Sequence, residues 1–325
     1  MSSDDNNRAQ DTKSDTRNGP GASGPAASAP RAGRQRARCQ RDGTPARRER
    51  SAPSGREPGG REPESVTFPR VTETTGLRVL RRQPTEEGPG AGRLLILVHG
   101  SMDRATSFTR LMAKLPDWSV LYYDRRGYAG SAETGPAETF GHQVDDLLAV
   151  LDGEPAVAFG HSFGGDVVLA AASHRPELIP AALVWEAPQP WLPWWPSHTA
   201  AGGAQEQLEP DERAEWFMRR QIGDRVWERL PSATQARRRA EGQTLQAEMA
   251  SLRGGPVFDA ARVSIPVIVG RGTLSSTHQR RSARELAAAL PNGELADIPG
   301  ATHGAHLSHP GEVADLLRRA AARAL

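Results

Sequence analysis

The chain reads as an α/β protein, a mostly parallel sheet of eight strands flanked by helices, with a helical lid inserted after the sixth strand. Three observations predict it. Leu94-Leu95-Ile96-Leu97-Val98 is an uninterrupted apolar run, the mark of a strand buried on both faces. Strand-like and helix-like segments alternate from there to Trp185 and again from Val267 onward, the pattern of βαβ units. Between about 187 and 255 the alternation stops and only helical patterning remains.

Taken in order, residues 66–74 and 77–82 read as an antiparallel pair turning at Thr75-Gly76, followed by the apolar strand at 93–99. A helix near 107–115, a strand at 119–123 and a helix at 139–151 come next. Then follow a strand at 156–159, a helix at 164–173 and the sixth strand at 181–185. Within the insert, helices are expected at 210–221, 224–230 and 232–252. A strand at 267–270, a helix at 277–290, a strand at 293–298 and a last helix at 310–324 complete the sheet.

This places the folded domain at 65–325. Residues 1–64 contain Ser, Gly, Pro, Ala, Arg and Asp with almost no large apolar side chain, so they cannot bury enough surface to offset chain entropy and read as a disordered tail. Between Arg31 and Arg50 lie eight arginines against Asp42 and Glu49, so the tail holds most of the basic character behind a pI near 9.0. Arginine clusters attract nucleic acid without sequence preference, but no aromatic residues are interleaved to stack on bases, and a solvated extension is the expectation. Cys39 is the single cysteine, so no intramolecular disulfide can form. No apolar run approaches the roughly 20 residues that span a bilayer, and the N-terminus shows no apolar signal core. A cytoplasmic protein acting on a small molecule, away from the membrane, is expected.

The chemistry centres on Gly160-His161-Ser162-Phe163-Gly164, between the expected strand at 156–159 and the helix after it. A serine with glycines at i−2 and i+2 fits a turn too sharp for side chains on its inner side, and such a turn lifts the hydroxyl clear of the backbone. Three further pieces sit at strand ends: His99-Gly100-Ser101, Glu186, and Gly300-Ala301-Thr302-His303. In a parallel sheet, ligands bind outside the carboxyl ends of the strands, so all four pieces should converge on one cleft.

LLILVHGS at 94–101, YDRRGYAGS at 123–131, GHSFGG at 160–165 and GATHGAHLSHP at 300–310 resemble, in order, the motifs of the α/β-hydrolase fold family, and in particular its lid-bearing, esterase-like members. The resemblance covers about 66–325 and leaves the tail out. It implies Ser162 as nucleophile, activated by a base because a serine hydroxyl is nearly inert at neutral pH. It implies His303 as that base, and backbone N–H groups of Ser101 and Phe163 as the oxyanion hole. It also implies hydrolysis of an ester, lactone, thioester or related bond through an acyl-enzyme, without cofactor or metal.

The sequence departs from the family at the third member. An aspartate usually follows the strand at 267–270 in a G-x-x-D segment; here the segment reads Gly272-Thr273-Leu274-Ser275. Serine cannot stabilise an imidazolium as an anion does. Glu186, at the end of the preceding strand, is the candidate acid, since some members of the fold supply it from there and glutamate has the longer reach. A strand-end carboxylate paired with an arginine is its plainer reading. Asp297 is the weaker alternative, and Asp124 reads as a brace for the turn Asp124-Arg125-Arg126-Gly127. His303, His306 and His309 form an H-x-x-H-x-x-H array, but Pro310 interrupts any helix carrying it and no carboxylate stands beside it, so no metal site is expected. Trp191 and Trp194 of the insert are candidates to wall an apolar substrate, although any single tryptophan more often packs a lid on its sheet, and Arg237-Arg238-Arg239 reads as a solvated face. Haloperoxidase-like, C–C bond-cleaving and lyase chemistry use the same constellation, and a ligand-binding protein with a degraded site is the reading from another class.

Overall fold

A computed structural model describes residues 76–324. The tail at 1–64 with its arginine cluster and Cys39, and the strand expected at 66–74, lie outside the described residues. Seven strands form one sheet: β1 (Val79–Arg82), β2 (Leu94–Val98), β3 (Ser119–Tyr123), β4 (Val157–His161), β5 (Ala182–Trp185), β6 (Val267–Gly272) and β7 (Gly293–Ile298). Their order is β1-β3-β2-β4-β5-β6-β7, with β1 antiparallel to β3 and every other pair parallel. The eight-strand expectation thus becomes seven among the described residues, and the helical insert follows the fifth of them.

Alternation along the strands splits the core into two layers. Leu94, Ile96 and Val98 face one cluster, with Ala182, Val184, Val267 and Val269; Leu95 and Leu97 face the other, with Phe159, Leu183 and Ile268. Side chains that alternate across a sheet must find helices on both sides, which is why β2 is apolar at every position. Helices α1 (Thr109–Met112), α2 (Phe140–Leu151) and α3 (Phe163–His174) precede β5. The insert carries α4 (Pro210–Ile222), α5 (Asp224–Trp227), α6 (Ser232–Ala240) and α7 (Gly242–Arg253). After it come α8 (Thr277–Ala289), α9 (Ala305–Ser308) and α10 (Pro310–Ala322). Apolar residues of α2, α3 and α8 pack in the first cluster and those of α1 and α10 in the second.

The single helix expected at 232–252 is two helices that meet at Glu241. A side chain at Gly242 would lie 1.9 Å from the Pro210 carbonyl oxygen, so the chain breaks where α7 passes the start of α4. The helix expected near 107–115 is a 3-10 turn, Ala105–Phe108, running into α1. Asp124 braces its turn: its carboxylate accepts from Ala105 N at 2.8 Å, Gly130 N at 3.0 Å and the Arg78 guanidinium at 3.1 Å.

The insert is fastened to the sheet by a buried ion pair. Arg125, fully buried, donates to Glu248 of α7 at 2.5 Å, to Gln143 at 3.0 Å and to the His99 carbonyl at 2.8 Å. Tyr128 donates to the other Glu248 oxygen at 2.8 Å. Removing one partner of such a pair strands a charge in the core and costs about 3–5 kcal/mol.

Candidate active site

Ser162 sits between β4 and α3 with φ 53° and ψ −126°, a left-handed backbone that a residue with a Cβ adopts only where its surroundings force it. The flanking glycines are steric requirements. A Cβ at Gly160 would lie 2.5 Å from the Gly164 carbonyl oxygen, and one at Gly164 would lie 2.3 Å from that of Val98. Among the described residues, no hydrogen bond takes up the backbone N–H of Ser101 or of Phe163. Both stay available to a developing negative oxygen. Phe163 is the first residue of α3, where the helix leaves its N–H groups unpaired.

Strand register sets the neighbours of the elbow. Ser162 N donates to the Trp185 carbonyl at 2.8 Å, and Glu186 N to that of Gly270 at 3.2 Å, so the ends of β4, β5 and β6 lie side by side. Glu186, with φ 48°, turns its buried side chain across the end of β6. One carboxylate oxygen accepts from Gly272 N at 2.8 Å; the other lies 2.8 Å from His303 Nδ1. His303 is held from below as well, because His161 Nε2 donates to its carbonyl oxygen at 2.9 Å. The Gln279 carboxamide nitrogen lies 2.9 Å from the same His303 Nδ1. A proton on Nδ1 finds its acceptor in the carboxylate, since an amide nitrogen offers no lone pair, and Nε2 is then left bare.

Ser162, His303 and Ser101 border one cavity of about 540 Å³. Its insert-side wall comes from α4, with Phe217, Met218 and Ile222, and from Arg238 of α6. Leu274 and Leu307 stand at this cavity too, and they are two of the three large apolar side chains exposed among the described residues.

Three of the other histidines, His99, His161 and His306, are buried. Burial holds His99 and His161 well below the ordinary imidazole range, and His306 is pulled down to about 3, again chiefly by burial. His99 is placed as the Nδ1–H tautomer: that nitrogen faces the Gly100 carbonyl at 2.7 Å, while Nε2 accepts from Arg125 N at 2.9 Å. Of the H-x-x-H-x-x-H array, only His303 meets Glu186, and His309 faces Ser308 Oγ at 2.8 Å. Ligand atoms of Asp103, His161 and His306 lie within 4.8 Å of one another, a grouping sequence spacing does not reveal.

Two expectations are corrected. Trp191 and Trp194 do not border the cavity. Trp191 packs edge-on against Phe258, and Trp194 donates to Glu285 of α8 at 2.8 Å beneath the Arg281 guanidinium, so both tie the start of the insert to the chain that follows it. Arg238 is not on a solvated face: only 12% of its side chain is exposed, and it donates to the Met102 carbonyl at 2.9 Å beside the cavity. Asp297, the weaker candidate acid, points away as its lower rank supposed and pairs with Arg271 at 2.5 Å. The α4 wall escaped the sequence reading, although its signal, an apolar stripe at 214, 217, 218 and 222 within a charged helix, is there to be read.

Residues 95–316 match the alpha/beta hydrolase family. Among curated proteins, the chain is 33% identical over 96 residues to an uncharacterized hydrolase of Bacillus subtilis, YraK, covering 28% of this chain and 35% of that one. It is 34% identical over 100 residues to the lipase LipV of Mycobacterium tuberculosis, covering 30% and 38% respectively. The matched stretch spans little more than a third of either relative. The crystal structure of an alpha/beta hydrolase from Sphaerobacter thermophilus superposes with a TM-score of 0.56 at 25% identity, over 77% of this chain and 98% of that one. A family match over more than half of the 325 residues, with this sheet order and this elbow, places the chain in the alpha/beta hydrolase family.

Proposed function

We propose that the protein is a serine hydrolase of small esters or lactones with an apolar part, using Ser162, His303 and Glu186 as its triad. The observation that carries this reading is the 2.8 Å contact between a fully buried Glu186 carboxylate and His303 Nδ1, on the same cavity as the elbow serine. In the proposed reaction His303 Nε2 takes the Ser162 proton as Oγ attacks the substrate carbonyl. Glu186 stabilises the imidazolium that forms, and the carbonyl oxygen gathers negative charge toward the N–H groups of Ser101 and Phe163. His303 then returns the proton to the departing alkoxide, leaving an acyl group on Ser162. Water, activated by the same imidazole, releases the acid and restores the serine.

The helical insert serves as the lid in this reading. Phe217, Met218, Ile222, Leu274 and Leu307 supply the apolar lining, which favours a substrate with a hydrocarbon part. Labelling with a fluorophosphonate probe, followed by mapping of the adduct by mass spectrometry, tests nucleophile and competence together. An adduct on Ser162, absent in Ser162→Ala along with turnover of p-nitrophenyl esters, is expected. A chain that binds small molecules but neither labels nor turns over activated esters is a binding protein on this fold, and the proposal fails.

A further inference from the structure

The cavity carries more positive charge than its own carboxylates neutralise. Arg238 reaches in from α6, anchored through Nη1 on the Met102 carbonyl at 2.9 Å and on Glu241 at 3.1 Å. Its Nε and Nη2 make no hydrogen bond among the described residues and are not sealed off in the core. Glu241 is shared: its other oxygen lies 3.7 Å from Arg104 and accepts from Ala129 N at 3.1 Å. One carboxylate therefore serves two guanidinium groups. Arg220 of α4 also borders the cavity, stacked 5.1 Å from the Trp216 ring, and no carboxylate among the described residues comes within ion-pair distance of it.

The acid that lines the cavity itself, Asp103, is already engaged. It accepts from Ser107 Oγ at 3.0 Å and lies 3.8 Å from His306 Nε2, and burial pushes its carboxyl above the usual carboxylate range. A guanidinium with free donors over an apolar floor is a receptor for a planar anion, because the fork of N–H groups matches a carboxylate.

We propose that the physiological substrate carries a carboxylate near the bond that is cleaved, held by Arg238 and Arg220 opposite Ser162. The inference rests on the hydrolase reading above. It narrows the substrate from an apolar ester to a half-acid: hydrocarbon against Phe217 and Met218, negative charge against the two arginines. At a cavity mouth, an unpaired arginine also draws anions in, so the preference weakens as salt screens it.

The test uses the full chain and two matched pairs of esters. For an acid on the acyl side, p-nitrophenyl hydrogen glutarate is compared with p-nitrophenyl valerate. For an acid on the leaving side, the butyrate of 4-hydroxybenzoate is compared with that of 4-hydroxybenzamide. In one arm kcat/KM should favour the carboxylated ester at least tenfold at low ionic strength, and the ratio should shrink with added salt. R220Q should cut the ratio about fivefold through KM, R220E should cut it further, and R238Q should do so if the variant remains folded. Independently of turnover, glutarate should slow phosphonate labelling of Ser162 more than glutaramide does, and this difference should vanish in R220Q. Hydrolysis of the neutral esters with no preference in either arm, and no protection by glutarate, overturns the inference and leaves the hydrolase reading standing. Absence of both turnover and labelling overturns both.

Discussion

The ends of β5 and β6 lie side by side and make opposite use of a buried polar side chain. At the end of β5, Glu186 is enclosed, yet both its oxygens are occupied, by Gly272 N and His303 Nδ1. In the loop after β6, where the family usually carries its aspartate, Ser275 is also buried, and its hydroxyl has no hydrogen-bond partner among the described residues. In the proposed triad, the contrast bears on what a catalytic acid needs. It needs a carboxylate oxygen within hydrogen-bond reach of the imidazole and a donor for the second oxygen, and the end of β5 provides both. A glutamate at β5 has one methylene more than aspartate, and its left-handed backbone turns it toward β6.

The largest effect should follow from breaking the β5 arrangement. Glu186→Gln keeps the shape and removes the charge; it can also reverse the ring tautomer by donating to Nδ1. A loss of about 10³–10⁴-fold in kcat for an activated ester is expected, with the thermal midpoint moved by only a few degrees. Activity within tenfold of the parent enzyme would assign the acid elsewhere. Asp297→Asn, which touches only the Arg271 pair, should leave kcat within about twofold.

A second substitution sharpens the comparison. If the two strand ends are equivalent routes to one imidazole, an aspartate in place of Ser275 should supply the missing charge. Glu186→Gln with Ser275→Asp should therefore recover at least tenfold of the kcat lost in Glu186→Gln alone, measured as the initial rate at saturating ester. The same aspartate beside an intact Glu186 places two carboxylates at one site and should depress activity or shift its pH profile, since like charges resist joint ionisation. Recovery that fails in a folded double variant would mean that the loop after β6 no longer aims at His303.

Much of this was legible in the sequence because it depends on short-range requirements. The apolar run of β2, the glycines at 160 and 164 and the order of the strand-end motifs predict the sheet and bring Ser162 and His303 to one edge of it. Glu186 was legible only as a candidate, because its reach to His303 depends on a left-handed backbone at 186 and on a β5–β6 register that no local pattern encodes. The insert was the least legible part. Trp191 and Trp194 were candidates for a substrate wall, but an aromatic ring finds partners equally well away from a ligand: Trp191 packs against the core, Trp194 bonds Glu285 of α8 and Trp227 belongs to the core. Trp227 is fully buried, with its N–H on Glu215 at 3.1 Å. Arg238 read as solvated because a run of three arginines usually is, and only the approach of α6 to Met102 turns the middle one inward.

The smallest effect concerns a third buried acid, which shows that burial alone does not make a carboxyl useful. Asp166 lies in the first turn of α3, four residues after Ser162, fully buried, and neither oxygen has a hydrogen-bond partner among the described residues. A helix N-terminus favours negative charge. Here desolvation prevails, and it holds the Asp166 carboxyl well above the ordinary carboxylate range. The sign follows from proton binding. Above about pH 4 the unfolded chain releases this proton while the folded chain keeps it, so the folded state binds more protons and its stability falls as pH rises. The fall continues until pH passes the folded-state value, at up to about 1.4 kcal/mol per pH unit for one group. Asp166→Asn removes the titration at nearly constant shape. Urea unfolding of the two proteins between pH 5 and pH 9 should show the parent losing stability relative to Asp166→Asn as pH rises, with the two curves converging toward pH 4. Parallel curves across that range would mean that Asp166 ionises inside the fold as readily as outside it, and that some donor meets it there as Gly272 meets Glu186.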